Sequence, residues 1–281
     1  MRALLVSPAR AAFPSRWGEL PGLLGVPALM PPLGLLTVAS LLPAGWAKRL
    51  IDMNVRGLVD EDLRSADLVL VSANDAQRRS ARDVLGRCRA IGIRTVGGGP
   101  LFTFAARDFP EIDHVVAREA ETNLPPFLSD LAAGRARRLY DAEGGWADLG
   151  RSPVPDWSLI RPRDYACLGL QTTRGCPHRC TFCSVTSFLG REIRAKSAAQ
   201  VTAELEAIYA AGWRNDIYIL DDNFIADPDR AREVFLPALT AFQSRRNRPF
   251  RFRAQVTLSL ADDSGLLDRM VEAGFCQVFI G

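Results

Sequence analysis

Five short apolar runs separated by helix-like stretches fill the first 140 residues, and this alternation constrains the fold more than any other feature. The runs are Ala3 to Val6, Arg49 to Met53, Leu68 to Ser72, Arg94 to Gly97 and His114 to Val116. Between them, Leu33 to Leu42, Asp60 to Ala66, Ala76 to Ile91 and Phe102 to Phe109 read as helices, and Leu124 to Ala133 closes the unit. Such an order predicts an α/β domain with a doubly wound parallel sheet, Rossmann-like in layout. Sheets of this kind bind ligands beyond the carboxyl ends of their strands. Those ends carry Ser7-Pro8, Ser72-Ala73-Asn74-Asp75 and Gly97-Gly98-Gly99-Pro100. Glycines there let a flat, bulky ligand approach the backbone, although a glycine run alone also fits an ordinary turn. A nucleotide is a poorer candidate, because neither GxGxxG after a strand nor a GxxxxGKS/T loop is present.

Further along, Thr173-Arg174-Gly175-Cys176-Pro177-His178-Arg179-Cys180-Thr181-Phe182-Cys183 sets three cysteines in a CxxxCxxC spacing. Three soft thiolates in one short loop can hold an iron-sulfur cluster and leave one iron without a protein ligand. Zinc would want four ligands in tetrahedral array. The spare donors nearby are Cys167 and His178, and no second close cysteine pair exists. A disulfide is disfavoured where no export signal is apparent, since Met1 to Pro8 is too brief for a secretory core. Incidental thiols on a helix face are the remaining alternative, but Gly175 and Pro177 make the start a loop.

Composition narrows the classes of partner. At 281 residues and 48% hydrophobic, the chain can bury a substantial core and form about two domains. The net charge of +3 is carried by arginine, the only lysines being Lys48 and Lys196. Arg78, Arg79, Arg82, Arg87 and Arg89 are interspersed on a helical pattern, which is a solvated face rather than a nucleic-acid patch. Leu20 to Ala47 is uncharged, yet Pro21, Pro27, Pro31, Pro32 and Pro43 divide it into a loop and a short helix. A membrane span needs ~20 continuous residues, so this stretch is expected to be buried or ligand-facing, and the cytoplasm is the expected compartment.

The cysteine loop resembles the signature of radical S-adenosylmethionine (SAM) enzymes. That resemblance implies a 4Fe-4S cluster on Cys176, Cys180 and Cys183, whose open iron chelates SAM; reductive cleavage then yields a 5'-deoxyadenosyl radical. Phe182 stands where the family commonly has an aromatic near the adenine; a core phenylalanine is the other reading. With the domain before it, the chain resembles cobalamin-binding-domain radical SAM proteins, among them hopanoid methylases and the anaerobic Mg-protoporphyrin ester cyclase. Pro31-Pro32-Leu33-Gly34-Leu35-Leu36-Thr37, Ser72, Gly97 to Gly99 and the connector Pro153 to Ile160 carry the likeness. It implies cobalamin against Ser7, Ser72, Asn74, Gly97, Gly98 and Gly99. Where the family has GEGE after the fifth strand, this chain has Arg118-Glu119-Ala120-Glu121. There is no DxHxxG motif, and the only histidines are His114 and His178, so no histidine of the first domain is expected on the cobalt.

The expected organisation is a cobalamin-binding domain over 1–140, a linker over 141–162 marked by Gly144, Gly145, Gly150, Pro153 and Pro155, and the first part of a radical SAM (β/α) barrel over 163–281. In the last part, Cys167 to Thr172 reads as a strand that delivers the cysteine loop, on the face where barrel active sites are assembled. Ser197 and Gln200 form a capping box for a helix to Ala211. The strand Asp216 to Leu220, a helix from Asp227 through Phe242, the strand Phe252 to Leu258, the helix Asp263 to Ala273 and the strand Phe275 to Ile280 follow. In place of the superfamily's GGE stands Leu220-Asp221-Asp222-Asn223-Phe224, where Asp221, Asp222 and Asn223 could accept the amine of SAM or simply end the strand. Gln255, Thr257 and Ser259 are further candidates.

Four barrel strands by residue 281 leave an open edge, which reads as a truncated product or fragment. The function implied is C-methylation of an unactivated carbon on an apolar small molecule, fed by an electron donor such as flavodoxin or ferredoxin. Oxidative cyclisation with the same cofactors and an inert metal- or cobalamin-binding remnant are the alternatives.

Overall fold

The computed structural model describes residues 1–10, 22, 24–142 and 145–280. Leu20, Pro21 and Gly144 of the sequence reading lie outside the described residues. The first sheet holds β1 (Arg2–Ser7), β2 (Ala47–Asp52), β3 (Leu68–Ser72), β4 (Thr95–Gly98), β5 (His114–Val116) and β6 (Leu139–Tyr140). They run in the order β2-β1-β3-β4-β5-β6 with every neighbouring pair parallel. The order reverses between β1 and β3, which opens a crevice at their carboxyl ends.

Period-two alternation explains why the sheet is covered on both faces. Leu4, Val6, Val69 and Val71 pack with Val84, Leu85 and Phe102 on one side. Their neighbours Ala3, Leu5, Leu68 and Leu70 pack with Leu35, Phe127 and Leu131 on the other.

Three local expectations need correction. A sixth strand exists, Leu139–Tyr140, too short to show an apolar run; it is held by pairing to Val115 and Val116 and by the Tyr140 hydroxyl donating to Asp130 at 2.9 Å. The helix placed at Phe102 begins at Gly99, because Pro100 suits a first turn, where its missing amide proton costs nothing. The helix placed at Leu124 begins at Ala120 despite Pro125 and Pro126. There the Asn123 carboxamide donates to Ala117 O at 2.9 Å and accepts from Ala142 N at 3.0 Å, pinning the first turn.

The second sheet is β7 (Leu168–Leu170), β10 (Asp216–Ile219), β11 (Arg251–Val256) and β12 (Phe275–Ile280), parallel in the order β12-β11-β10-β7. Ile217, Ile219, Phe252 and Ala254 bury one face under Val201, Leu205, Leu239, Phe242 and Met270 of the helices. A row on the opposite face runs Gly169, Tyr218, Arg253, Gln277. The expected strand to Thr172 is shorter than read, since Thr173–Arg174 (β8) leaves the sheet to pair antiparallel with Arg194–Ala195 (β9). The cysteines lie in the loop this hairpin closes.

The helix from Pro228 carries a π turn at Ala231–Phe235 before Leu236–Arg245. Pro237, without an amide proton, cannot bond the fourth residue back, and the turn absorbs that break. Among the described residues no helix is long and apolar enough to cross a membrane. The uncharged stretch forms the helix Leu33–Leu41, and Ala28 pairs through its backbone with Asp164 and Ala166, just before β7.

Candidate cofactor site

Two glycines close the neck of the cysteine loop. Gly175 has φ +95°, and a Cβ there would lie 2.1 Å from Glu192 O; at Gly190, with φ +82°, it would lie 2.8 Å from the Trp146 ring. Cys176 N donates to Gly190 O at 3.2 Å across the same neck. Beyond it the thiols are free, Cys176 and Cys183 half-buried and Cys180 exposed. Burial pushes the Cys176 thiol up, and the nearby Asp222, Cys183 and Cys180 add to this.

Among the described residues no three His, Cys, Asp or Glu side chains converge on a single ion position. One zinc gathers its sulfurs at about 2.3 Å from the metal. A cube-shaped cluster takes one thiolate at each of three corners, so its ligands need not converge on one point. Cys167, the spare donor of the zinc reading, lies at the far end of β7 from the loop. Its Sγ is 3.5 Å from Leu29 O and burial pushes it up to about 11. Phe182 is 91% exposed, so it is no part of a core.

The three polar residues after β10 divide by role. Asp221, 2% exposed, accepts from Thr172 N at 2.7 Å, from Thr173 Oγ1 at 2.7 Å and from Thr172 Oγ1, so its carboxylate is consumed in tying β10 to the strand that delivers the cysteines. Asp222 is half-buried, and burial, followed by the Asp221 charge, raises it to about 6. Asn223 accepts from Ile225 N at 3.3 Å, while its buried Nδ2 has no protein partner. An amine acceptor and an unused amide donor thus stand side by side at the strand end, which suits the amino and carboxylate groups of an amino acid. Gln255, half-buried, lies two residues beyond Arg253 on β11 and so on the same face. Thr257 and Ser259 fall past the end of β11 and bond each other at 2.8 Å on the surface.

On the first sheet, Ser7 and Ser72 flank the crevice between β1 and β3. Ser7 is buried, with Gln77 Nε2 3.5 Å from its Oγ. Asn74 N donates to Gln77 Oε1 at 2.9 Å, leaving the buried Asn74 Oδ1 without a protein partner. The glycines differ among themselves. A Cβ on Gly97 would strike Ile112 Cδ1 at 2.3 Å and Phe102 Cγ at 2.8 Å, so packing alone accounts for Gly97. At Gly99, φ is +81° and a Cβ would lie 2.8 Å from Ser72 Oγ. Only Gly98 is open, its nearest contact being Val116 O at 3.5 Å. A crevice with one bare glycine and an unpaired carboxamide oxygen fits a broad, amide-rimmed ligand. His114 sits at the amino end of β5, with Nδ1 2.7 Å from Arg137 O.

The sequence shows the turn Arg118-Glu119-Ala120-Glu121 only as a departure from GEGE, with no sign that it joins the two sheets. Glu119 accepts from Arg174 Nη1 at 2.9 Å, Arg194 Nη1 at 2.8 Å and Ala147 N at 2.8 Å. Glu121 accepts from Arg174 Nη2 at 2.8 Å and Ser152 Oγ at 2.8 Å. Burial works to raise Glu121, but the charge and hydrogen bonds of Arg174 outweigh it and hold the carboxyl below its ordinary range. The signal available was the arginine directly before Gly175-Cys176. With it, the carboxyl edge of the first sheet abuts the carboxyl edge of the second.

The chain matches the B12 binding domain over residues 22–128 and the radical SAM superfamily over residues 170–281. It belongs to the proteins that join these two domains, and the pairing implies cobalamin, SAM and a 4Fe-4S cluster. An uncharacterized methyltransferase of Synechocystis is 34% identical over 285 residues, covering 100% of this chain and 52% of that protein. The hopanoid C-2 methylase of Rhodopseudomonas palustris is 30% identical over 260 residues, covering 91% of this chain and 49% of that protein. The chain spans about half the length of these curated relatives. The solved structure of TsrM from Kitasatospora setae, a radical SAM methyltransferase with cobalamin and a 4Fe-4S cluster bound, shares the fold at a TM-score of 0.73 and 18% identity, over 100% of this chain and 60% of that one.

Proposed function

We propose that this chain is the cofactor-bearing part of a cobalamin-dependent radical SAM methyltransferase that methylates an unactivated carbon of an apolar small molecule. The observation that carries the reading is the meeting of the two carboxyl edges through Arg174 and the carboxylates of Glu119 and Glu121. Cofactors held at those two edges would be brought to one junction. When bound, the cluster with SAM supplies hydrogen-atom abstraction from carbon, and methylcobalamin supplies the methyl group.

The protein's share is positional. Cys176, Cys180 and Cys183 hold the cluster; Asp222 accepts the SAM amine and Asn223 Nδ2 donates to its carboxylate. Phe182, exposed beside Cys183, and Gln255 are placed to flank the adenosine. Ser7, Ser72, Asn74 and Gly98 bound the cobalamin crevice, while Gly97 and Gly99 shape its floor from behind. An acidic one-electron carrier such as flavodoxin or ferredoxin is the reductant proposed, and the cytoplasm the compartment. Hopanoid and bacteriochlorophyllide methylases among the relatives support a polycyclic or otherwise apolar substrate.

Anaerobic reconstitution with iron, sulfide, cobalamin and SAM tests this. A reduced sample is expected to release 5'-deoxyadenosine and to retain cobalamin through gel filtration. Absence of iron uptake, or loss of cobalamin to the same extent as from an unrelated protein, would overturn it.

A further inference from the structure

Arg174 and Arg194 are opposite one another in the β8–β9 pair, so two guanidinium groups form the neck of the cysteine loop. Left alone, they repel. Their carboxylate partners come from the first domain, in the turn Arg118-Glu119-Ala120-Glu121. Within its own domain, the Arg174 side chain bonds Gln171 Oε1 at 2.8 Å. Glu119, Glu121, Arg174 and Arg194 are all at most 14% exposed, so the attraction is little screened by solvent.

The same turn grips the far side of the loop. Arg118 Nη1 donates to Ser187 O at 3.0 Å, its Nε to Asp141 at 2.8 Å, and its amide to Thr103 Oγ1 at 2.8 Å. Its guanidinium lies 5.4 Å from the Trp146 ring, with Arg194 at 5.6 Å from that ring. Beside it, Phe104 of the helix after the glycine turn packs on Phe188 of the helix after the cysteines, centroids 6.0 Å apart. Arg118 has φ 56°, a left-handed conformation that disfavours side chains. A glycine would relieve that strain, but it would forfeit the contacts to Ser187 and Asp141.

We propose that the turn Arg118–Glu121 is a positioning device: Glu119 and Glu121, acting through Arg174 and Arg194, set where the cysteine loop stands relative to the crevice of the first sheet. The departure from GEGE is therefore functional, since the arginine adds a second hold on the loop. The proposal goes beyond the methyltransferase reading and can be tested without turnover.

The test is amide hydrogen exchange, read by mass spectrometry on the metal-free chain, for the double variant Glu119→Gln/Glu121→Gln. Exchange over 176–190 is expected to rise at least about tenfold, while the distant helix Ser264–Ala273 stays unchanged. A folded double variant whose loop exchanges within about twofold of the original overturns the proposal. Should the double variant not fold, Arg174→Lys keeps the charge but loses the fork, and an intermediate rise is expected; unchanged exchange there overturns it equally. After loading with iron and sulfide, the reduced cluster's paramagnetic resonance signal is expected to respond less to added SAM in Glu121→Gln, and an identical response counts against the proposal. A chain that takes up no iron would remove the methyltransferase reading, while the exchange result would still decide this one.

Discussion

Asp221 Oδ1 accepts the backbone amide of Thr172 at 2.7 Å, fastening the end of β10 to the segment that carries the cysteines. Asp222, next in the chain, makes no side-chain hydrogen bond to another residue among the described residues, and burial raises it to about 6. Adjacent aspartates thus hold different tasks. Asp221→Ala is expected to lower stability by ~2–3 kcal/mol, because buried donors on Thr172 and Thr173 lose their acceptor. Asp222→Asn is expected to change stability by under ~0.5 kcal/mol and to weaken SAM binding by about tenfold. Urea unfolding and calorimetric titration with SAM separate the two.

Removing the thiols separates ligand from core cysteine. Changing Cys176, Cys180 and Cys183 together to alanine is expected to abolish bound iron and visible charge-transfer absorbance. Cys88 is fully buried and its thiol is pushed up to about 12. Its alanine variant should keep full iron content while losing ~1–2 kcal/mol of stability through a small cavity. Iron assay beside thermal melting reads both.

The glycines of the fourth strand should part in the same manner. Gly97→Ala drives a methyl into Ile112 and Phe102 and is expected to cost ~1–3 kcal/mol. Gly98→Ala meets nothing closer than 3.5 Å. It should fold normally and bind cobalamin at least about tenfold more weakly, since a methyl then projects into the crevice. Equal cobalamin retention by Gly98→Ala and the unaltered chain would contradict this placement.

Acid sensitivity should trace to Asp62. Hydrogen bonds from Arg56, opposed by burial and aided by Val59 N and Arg49, hold its carboxyl down to about 2 against an ordinary 3.8. A depressed acid contributes stability that is complete above its unfolded value and disappears as pH falls through its folded value. The window therefore lies between about pH 4 and pH 2. Arg49 and Arg56 are half exposed, so screening limits the effect to roughly 1 kcal/mol. Asp62→Asn should melt lower than the original at pH 7, and the difference should shrink as pH falls from about 4 towards 2.

Much of the architecture was legible locally. Apolar runs such as Leu68 to Ser72 became strands within a residue or two, and the Ser197–Gln200 capping box formed as read, with Gln200 N 3.2 Å from Ser197 Oγ. Shorter elements escaped: Leu139–Tyr140 has no periodicity to show, and the hairpin of Thr173–Arg174 with Arg194–Ala195 exists only through pairing across a long loop. The glycine run at 97–99 looked uniform in sequence, yet packing, an open edge and a left-handed turn claim one residue each.

By itself the sequence determined that three thiols share one loop after a strand, and that a parallel α/β sheet precedes them. Spacing and hydrophobic period are properties of neighbours along the chain, and they need no folded context. Only the tertiary structure decided that Asp221 is a brace while Asp222 is free, and that Glu119 and Glu121 reach Arg174 from another domain. A carboxylate's role depends on which donors surround it and how far water is excluded, and both are settled by residues more than fifty positions away or across a sheet.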